Sequence, residues 1–408
     1  MRQIIIHGKM YPLATPHAPR RGREMAEQSI IDDGALVMDQ GIIQAIGPTP
    51  QILADFGPQA TLVDADGLIV IPGFVDCHTH LPFAGWRADE YRQRLRGHTY
   101  EEMGKLGGIH RSSQQFNEST DNHVIDFCEP LLQEMLYSGT TTLEMKSGYG
   151  LSVAGELRQL RLIQDFRHRV RQRIVATGLF LHTPPINLPK ERWLWEVENE
   201  LLPKAHQLQW LDAADAFIES TTFSPEDVEG YLRQARKLNL NIRIHSDQFA
   251  HLGGTDLALN LRARGIDHLD NINSRDIARF ERSDSVAVLL PGATYTLSHK
   301  PFPPARQLID HNIAVAIASD FNPGTSPISS MPLIISMAVR FFDLSPEEAL
   351  SASTINAAYV LGTEREVGSL EVGKRADVCI LDTDTLDAIP YRAGHNPVRQ
   401  IFVQGTMM

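Results

Sequence analysis

Leu68-Ile69-Val70-Ile71-Pro72-Gly73-Phe74-Val75-Asp76-Cys77-His78-Thr79-His80 is the stretch on which the reading of this chain turns. An apolar run leads through a Pro-Gly pair into two histidines separated by one residue. In a strand, side chains at i and i+2 share a face, so His78 and His80 can bind one ion from a single rigid element while Thr79 faces away. A bare His-x-His is as readily a pair of ordinary buried histidines. Its placement favours the metal, because the end of a strand that follows a buried apolar run is where a parallel barrel exposes its chemistry.

The rest of the chain is able to build such a barrel. Its 408 residues, 42% hydrophobic and 22% charged, can bury a large core and predict one large domain with a smaller one. A formal charge of -12 opposes binding to a nucleic-acid backbone, which calls for a basic stripe. The three cysteines, Cys77, Cys128 and Cys379, fall in no CxxC spacing and fit a reducing compartment without a thiolate zinc site. The apolar run at the N-terminus is too short for a signal peptide, and no stretch of about 18 apolar residues occurs, so no membrane is expected and the cytoplasm is.

Upstream of the histidines lie short strands at 3–7, 34–38 and 42–46, the last after an Asp39-Gln40-Gly41 turn. The segment 12–27, rich in Pro, Arg and Ala without a period, reads as a loop or arm with a solvated basic face. Downstream, strands alternate with helical patterns, which argues for βαβ units and a parallel sheet. Residues 127–138 place Leu131, Leu132, Met135 and Leu136 on one helix face, stop at Gly139, and hand over to the β-branched Thr140-Thr141-Thr142-Leu143. Ser224-Pro225-Glu226-Asp227 opens a helix carrying Val228, Tyr231, Leu232, Ala235 and Leu238, and the strand 241–244 that follows ends in His245. Further buried strands are expected at 286–290 and 314–318, the second ending in Ser319-Asp320, and a capped helix is expected to run from Ser345 towards Leu361. Short strands return at 376–381 and 400–404. Neither end alone can bury a core, so both ends are expected to build one small β domain beside a barrel.

The chemistry collects at strand ends. His78, His80, His245 and Asp320 each terminate a predicted strand, and three imidazoles with one carboxylate suit zinc or iron with room for a water. Such a water has its pKa brought near neutrality and becomes a hydroxide nucleophile. His268, in Ile266-Asp267-His268-Leu269, is placed to orient or deprotonate it, unless it is an ordinary core histidine.

Over nearly its whole length the chain resembles the metal-dependent amidohydrolase superfamily and, within it, the imidazolonepropionase family. The resemblance rests on the stretch 72–80, on Thr99-Tyr100-Glu101-Glu102, Glu144-Met145-Lys146-Ser147-Gly148-Tyr149-Gly150-Leu151 and Leu289-Leu290-Pro291-Gly292-Ala293, and on Ser319-Asp320-Phe321-Asn322-Pro323-Gly324-Thr325-Ser326. The His-Thr-His and the late aspartate mark only the superfamily; the KSGYGL and DFNPGTS segments are narrower. The resemblance implies a (β/α)8 TIM-like barrel over residues 68–365 and a composite β-sandwich from residues 1–67 and 366–408. It implies that His78, His80, His245 and Asp320 hold one divalent ion, zinc or iron, with no lysine bridging a second, since Lys146 belongs to the substrate-side segment. The implied reaction opens the cyclic C–N bond of 4-imidazolone-5-propanoate to give N-formimino-L-glutamate, in L-histidine degradation.

Its substrate contacts carry over to Arg87, Tyr149 and His182 and to Asn322, Gly324 and Thr325, which would grip the propionate. An arginine suits that task because a guanidinium fork recognises a carboxylate bidentately. Gln248 stands at a pocket position, where an amide orients a ring carbonyl or N–H but carries no proton. Proton traffic then falls to His268 and Asp320. A homodimer acting on a small molecule, without nucleic acid or membrane, is expected. Two departures stand out: the proline-rich Thr183-Pro184-Pro185-Ile186-Asn187-Leu188-Pro189 after His182, and Ser246 in place of an alanine. His110 and His251 are expected to be structural or surface residues. Two alternatives are a related cyclic-amidine hydrolase or deaminase, against which Gln248 counts because such enzymes usually carry an acidic shuttle there, and a non-catalytic barrel relative, against which the intact ligand set counts.

Overall fold

Short runs that are buried nearly throughout pair side by side in parallel to make one of two eight-stranded sheets. The computed structural model describes residues 2–98, 102, 107–298 and 300–408. Thr99, Tyr100 and Glu101 of the family segment therefore lie outside the described residues.

The other sheet uses β1 (Gln3–Met10), β2 (Ile31–Asp39), β3 (Ile42–Pro48), β4 (Thr61–Asp64) and β5 (Ile69–Pro72). The parallel sheet follows with β6 (Phe74–Asp76), β7 (Thr140–Lys146), β8 (Arg173–Leu181), β9 (Ala213–Ala216), β10 (Asn241–Ser246), β11 (Gly265–His268), β12 (Val286–Leu289) and β13 (Ala314–Ile317). Then β14 (Val378–Leu381), β15 (Val398–Val403) and β16 (Thr406–Met407) rejoin the first group. The parallel sheet runs β6 to β13 in sequence order, and its edges meet. Thr79 bridges Phe321, His80 N–H donates to the Phe321 carbonyl at 2.9 Å, and Ser319 donates through N–H (3.1 Å) and Oγ (2.5 Å) to the Asp76 carboxylate. That closure is the (β/α)8 barrel expected from the sequence, and it sets the first and last strands side by side at the site.

The terminal sheet runs β16-β15-β14-β5-β1-β2-β3, with β4 beside β1. Its halves curl over a shared apolar cluster in which Ile5, Leu36 and Ile43 from the N-terminal part meet Val378, Ile380 and Phe402 from the C-terminal part. This is the composite β domain built from both chain ends. Ile69–Pro72 pairs with β14 and β1, so the chain passes from sheet to barrel at Gly73, where an added Cβ would lie 2.2 Å from Thr141 Oγ1.

Three local expectations need correction. The arm 12–27 is only partly solvated: His17 and Arg23 are exposed, but Arg20 is buried and donates to the carbonyls of Ala14 (3.0 Å) and Glu27 (2.7 Å), and Arg21 reaches the Ser283 carbonyl at 2.7 Å. Arginine composition alone suggests solvent, but a guanidinium with five donors can satisfy several carbonyls and seal a strap against the barrel. The helix expected from 127 begins at Asp121, because Thr120 Oγ1 caps His123 N–H, and it runs through Pro130 to Tyr137. The helix opened by Ser345 stops at Ala352 and a second runs Ile355–Leu361. Ser353 and Thr354 hydroxyls donate to the carbonyls of Ala349 and Leu350 (2.8 and 2.5 Å), while the Ser353 carbonyl accepts Val75 N–H from β6, so the break ties helix to barrel. No helix among the described residues is long and apolar enough to cross a membrane.

Candidate active site

At the C-terminal end of the barrel the sequence-predicted ligands meet. His78 and His80 follow β6 on one face, and Thr79 between them turns its hydroxyl to the Glu144 carbonyl at 2.6 Å. His245 comes from β10 and Asp320 from just beyond β13. His78 Nε2 and His80 Nε2 are 3.2 Å apart, and Asp320 Oδ1 is 3.4 and 3.2 Å from them. A tetrahedral ion with ligand atoms at about 2.0–2.1 Å has edges of about 3.3 Å, which these separations match. The ligand atoms of His78, His80 and His245 lie within 4.8 Å of one another, and His245 Nε2 is buried without a hydrogen-bond partner among the described residues. The donor set therefore fits a divalent metal.

Electrostatics favour the same use. Burial, reinforced by Lys146 for His78 and by His245 for His80, holds both imidazoles well below their ordinary pKa, so they stay neutral with lone pairs free. Burial raises the Asp320 carboxyl against the pull of His268. His268 itself is lowered to about 3 by burial and is an acceptor at neutral pH. Its ring centroid lies 5.5 Å from that of His245 and 6.0 Å from that of His78. Asp247, His268, Leu269 and Asp320 have φ of 58°, 78°, 68° and 52°, left-handed values that cost non-glycine residues of order 1–3 kcal/mol each and that gather at this rim.

His80, His245 and Asp320 line a cavity that also takes in Arg87, Tyr149, His182, Gln248, His268, Asn322 and Thr325. His182 Nδ1 is 3.0 Å from the Gly148 carbonyl, which leaves Nε2 as an acceptor, and its ring stacks on His80 at 5.3 Å. Gln159 holds the Gly148-Tyr149 turn by accepting both N–H groups, at 3.1 and 2.9 Å. Arg87 is buried, its Nε lacks a hydrogen-bond partner among the described residues, and Glu90 Oε2 stands 3.6 Å away. Its guanidinium occupies the space over Gly324, where an added Cβ would come within 1.7 Å of Nη2. Asn322 uses its amide on its own loop: Oδ1 accepts from Gly324 N–H (2.9 Å) and Thr325 N–H (2.7 Å), and Nδ2 donates to the Asp320 carbonyl (2.6 Å). It shapes the loop that carries Asp320.

Several residues of the site escape a reading of the sequence. Asp215 Oδ1 is 3.1 Å from His245 Nδ1, and Asp267 Oδ1 is 3.5 Å from His78 Nδ1. Burial raises the Asp215 carboxyl, but His245 and Lys146 outweigh it and bring it below the usual range; burial keeps Asp267 raised despite Arg243. One signal was available, since Glu144 and Lys146 stand at i and i+2 in a strand that is otherwise apolar or β-branched. Glu219 accepts Phe249 N–H at 2.9 Å and so braces the Gln248 loop. His251 has a structural place, with Nδ1 3.2 Å from Asp247 Oδ1 on the same loop. His110, with the departing Pro185 and Ile186, lines an outer cavity of about 940 Å³.

The "Amidohydrolase family" model matches residues 69–408. An imidazolonepropionase of Symbiobacterium thermophilum is 39% identical, over 96% of this chain and 93% of its own. That of Deinococcus radiodurans is 38% identical, over 97% of both chains. Among solved structures, guanine deaminase from Bradyrhizobium japonicum superposes with a TM-score of 0.74 at 16% identity, covering 100% of this chain and 99% of its own. An adenosine deaminase from Xanthomonas campestris with bound zinc gives 0.73 at 18%, covering 99% and 92%. At those identities the structures speak for the fold alone.

Proposed function

Because the chain belongs to the amidohydrolase family and, within it, to the imidazolonepropionases, we propose that it hydrolyses the cyclic C–N bond of 4-imidazolone-5-propanoate to N-formimino-L-glutamate. The observation that carries this reading is that one cavity is bounded both by the histidine–aspartate cluster and by a buried arginine. His78, His80, His245 and Asp320 would hold one divalent ion, zinc or iron. When bound, the ion supplies Lewis acidity that brings a water near neutral pKa. His268, neutral by burial, accepts the proton of the attacking water together with Asp320 and returns it to the departing ring nitrogen. Gln248 orients the ring through its amide, and Tyr149 and His182 bound the ring pocket. Arg87 binds the propionate, and Gly324 leaves room for the guanidinium. Asn322 and Thr325 keep the loop between them in shape. A homodimer in the cytoplasm belongs to the same reading.

A deaminase acting on a neutral base has no use for a buried cation at this distance from the cluster, so Arg87 separates the two chemistries. Loss of a charged hydrogen-bond partner costs about 1.5 to 3 kcal/mol, so Arg87→Leu is expected to lower kcat/KM roughly ten- to a hundredfold for the propionate-bearing ring. An analogue without the carboxylate should be little affected. Faster turnover of neutral aminopurines by the unaltered protein, with Arg87→Leu changing nothing, would return the chain to the deaminases.

A further inference from the structure

Beneath the pocket, five charged side chains of the barrel interior join the two deepest histidines into one arc. From His78 Nδ1, which makes no hydrogen bond among the described residues, the path crosses an ion-pair separation of 3.5 Å to Asp267 Oδ1 and then runs to Arg243 Nη2 at 2.6 Å. Arg243 Nη1 is 3.2 Å from Glu144 Oε1, and Glu144 Oε2 is 2.8 Å from Lys146 Nζ. Lys146 Nζ donates to Asp215 Oδ2 at 2.6 Å, and Asp215 Oδ1 ends the arc 3.1 Å from His245 Nδ1. Signs alternate along it, three carboxylates against two cations, and none of the five is more than 1% exposed.

Stability does not account for such an arc. Burying charges is costly, and apolar replacements of similar volume are often as stable or more so. Its two ends show what it does. A carboxylate bonded to Nδ1, as Asp215 is at His245, or standing beside it, as Asp267 does at His78, favours the tautomer with hydrogen on that nitrogen and leaves the Nε2 lone pair free. His78 Nε2 and His245 Nε2 are the atoms that face the cluster. Each carboxylate is in turn fixed by a cation, and Glu144 holds both cations from one side chain.

We propose that Asp267, Arg243, Glu144, Lys146 and Asp215 form a single positioning device that sets the tautomer and orientation of His78 and His245 for the metal, with Glu144 as its hub. The inference rests on the reading of His78, His80, His245 and Asp320 as metal ligands, and it makes a residue that touches neither histidine control metal affinity.

The test uses zinc as the probe and two readouts other than turnover. In the metal-free protein, imidazole ¹⁵N spectra should show hydrogen on Nδ1 of both His78 and His245; hydrogen on Nε2 of either overturns the proposal. In chelator competition, Glu144→Gln and Asp215→Asn should each weaken zinc binding about ten- to a hundredfold with an unchanged far-ultraviolet spectrum. An asparagine there must turn its NH₂ either to Lys146 or to His245, so one of the two contacts is lost. Folded variants that bind zinc as tightly as the unaltered protein overturn the proposal, and should neither variant fold, the tautomers of the unaltered protein decide it. If the unaltered protein takes up no zinc, or His78→Ala takes it up equally well, it is the metal-site reading that fails, and the tautomers of His78 and His245 still decide whether the arc acts on them.

Discussion

The described residues form two eight-stranded sheets, and their interiors differ in kind. The terminal sheet mixes parallel and antiparallel pairs, stays open, and curls over Ile5, Leu36, Val378 and Phe402. The barrel is parallel and closed by the Thr79–Phe321 bridge, and its interior carries Glu144, Lys146, Asp215, Arg243 and Asp267 at its centre. Closure explains the contrast. An open sheet can satisfy its faces with methyl groups alone, whereas a barrel aims side chains from all its strands at one axis, so opposite charges from distant strands can neutralise one another there. Substitutions in the barrel centre should therefore alter chemistry, and those in the terminal sheet stability.

The largest separation is expected from His78→Ala, which should remove nearly all bound metal and turnover while circular dichroism still reports the fold. Retention of full activity would misplace the site. Next comes His268→Asn, for which kcat should fall by about 10² to 10⁴ with metal retained; a near-normal kcat would return His268 to a packing role. On the other side of the comparison, Phe402→Ala should cost about 3–5 kcal/mol of stability by emptying the shared apolar cluster. Turnover per folded, metal-loaded molecule should not change, and a fall in it would show that the two sheets are coupled.

The smallest effect concerns Glu156, which accepts Leu151 N–H at 2.9 Å behind the tyrosine loop and whose carboxyl burial raises to about 7. A folded value above the unfolded 4.5 means that the folded protein holds the extra proton between them, so this stability is complete below about 4.5 and is lost as pH rises through 7. Glu156→Gln should flatten the stability profile in that window by up to about 1.4 kcal/mol per pH unit, measured by denaturant unfolding of metal-free protein. An unchanged slope would show that Glu156 does not titrate with folding.

The parts legible in the sequence are those governed by neighbours along the chain. The two-residue period that puts His78 and His80 on one face, the Ser224-Pro225 helix start and the strands ending in His245 and Asp320 all follow from local geometry, and the structure brings these four side chains together. Family motifs pointed to Arg87, Tyr149, His182 and Gln248, which line the same cavity. The helix break at Ser353, by contrast, was hidden because hydroxyls in a helical pattern do not announce that a barrel N–H will claim the carbonyl. The buried Arg20 of the otherwise partly exposed arm was hidden because composition does not say which carbonyls an arginine will find. The charge arc lay further out of reach. Arg243 meets Cys77 across 166 positions and Glu144 across 99, and Lys146 meets Asp215 across 69. Sequence by itself determined the strands, the caps and the histidines and aspartate that stand at strand ends, because those depend on interactions within a few residues. Only the closed barrel decided which buried charges face one another beneath the histidines, because that partnership is fixed by strand order and register around an axis, and no short stretch of chain contains both.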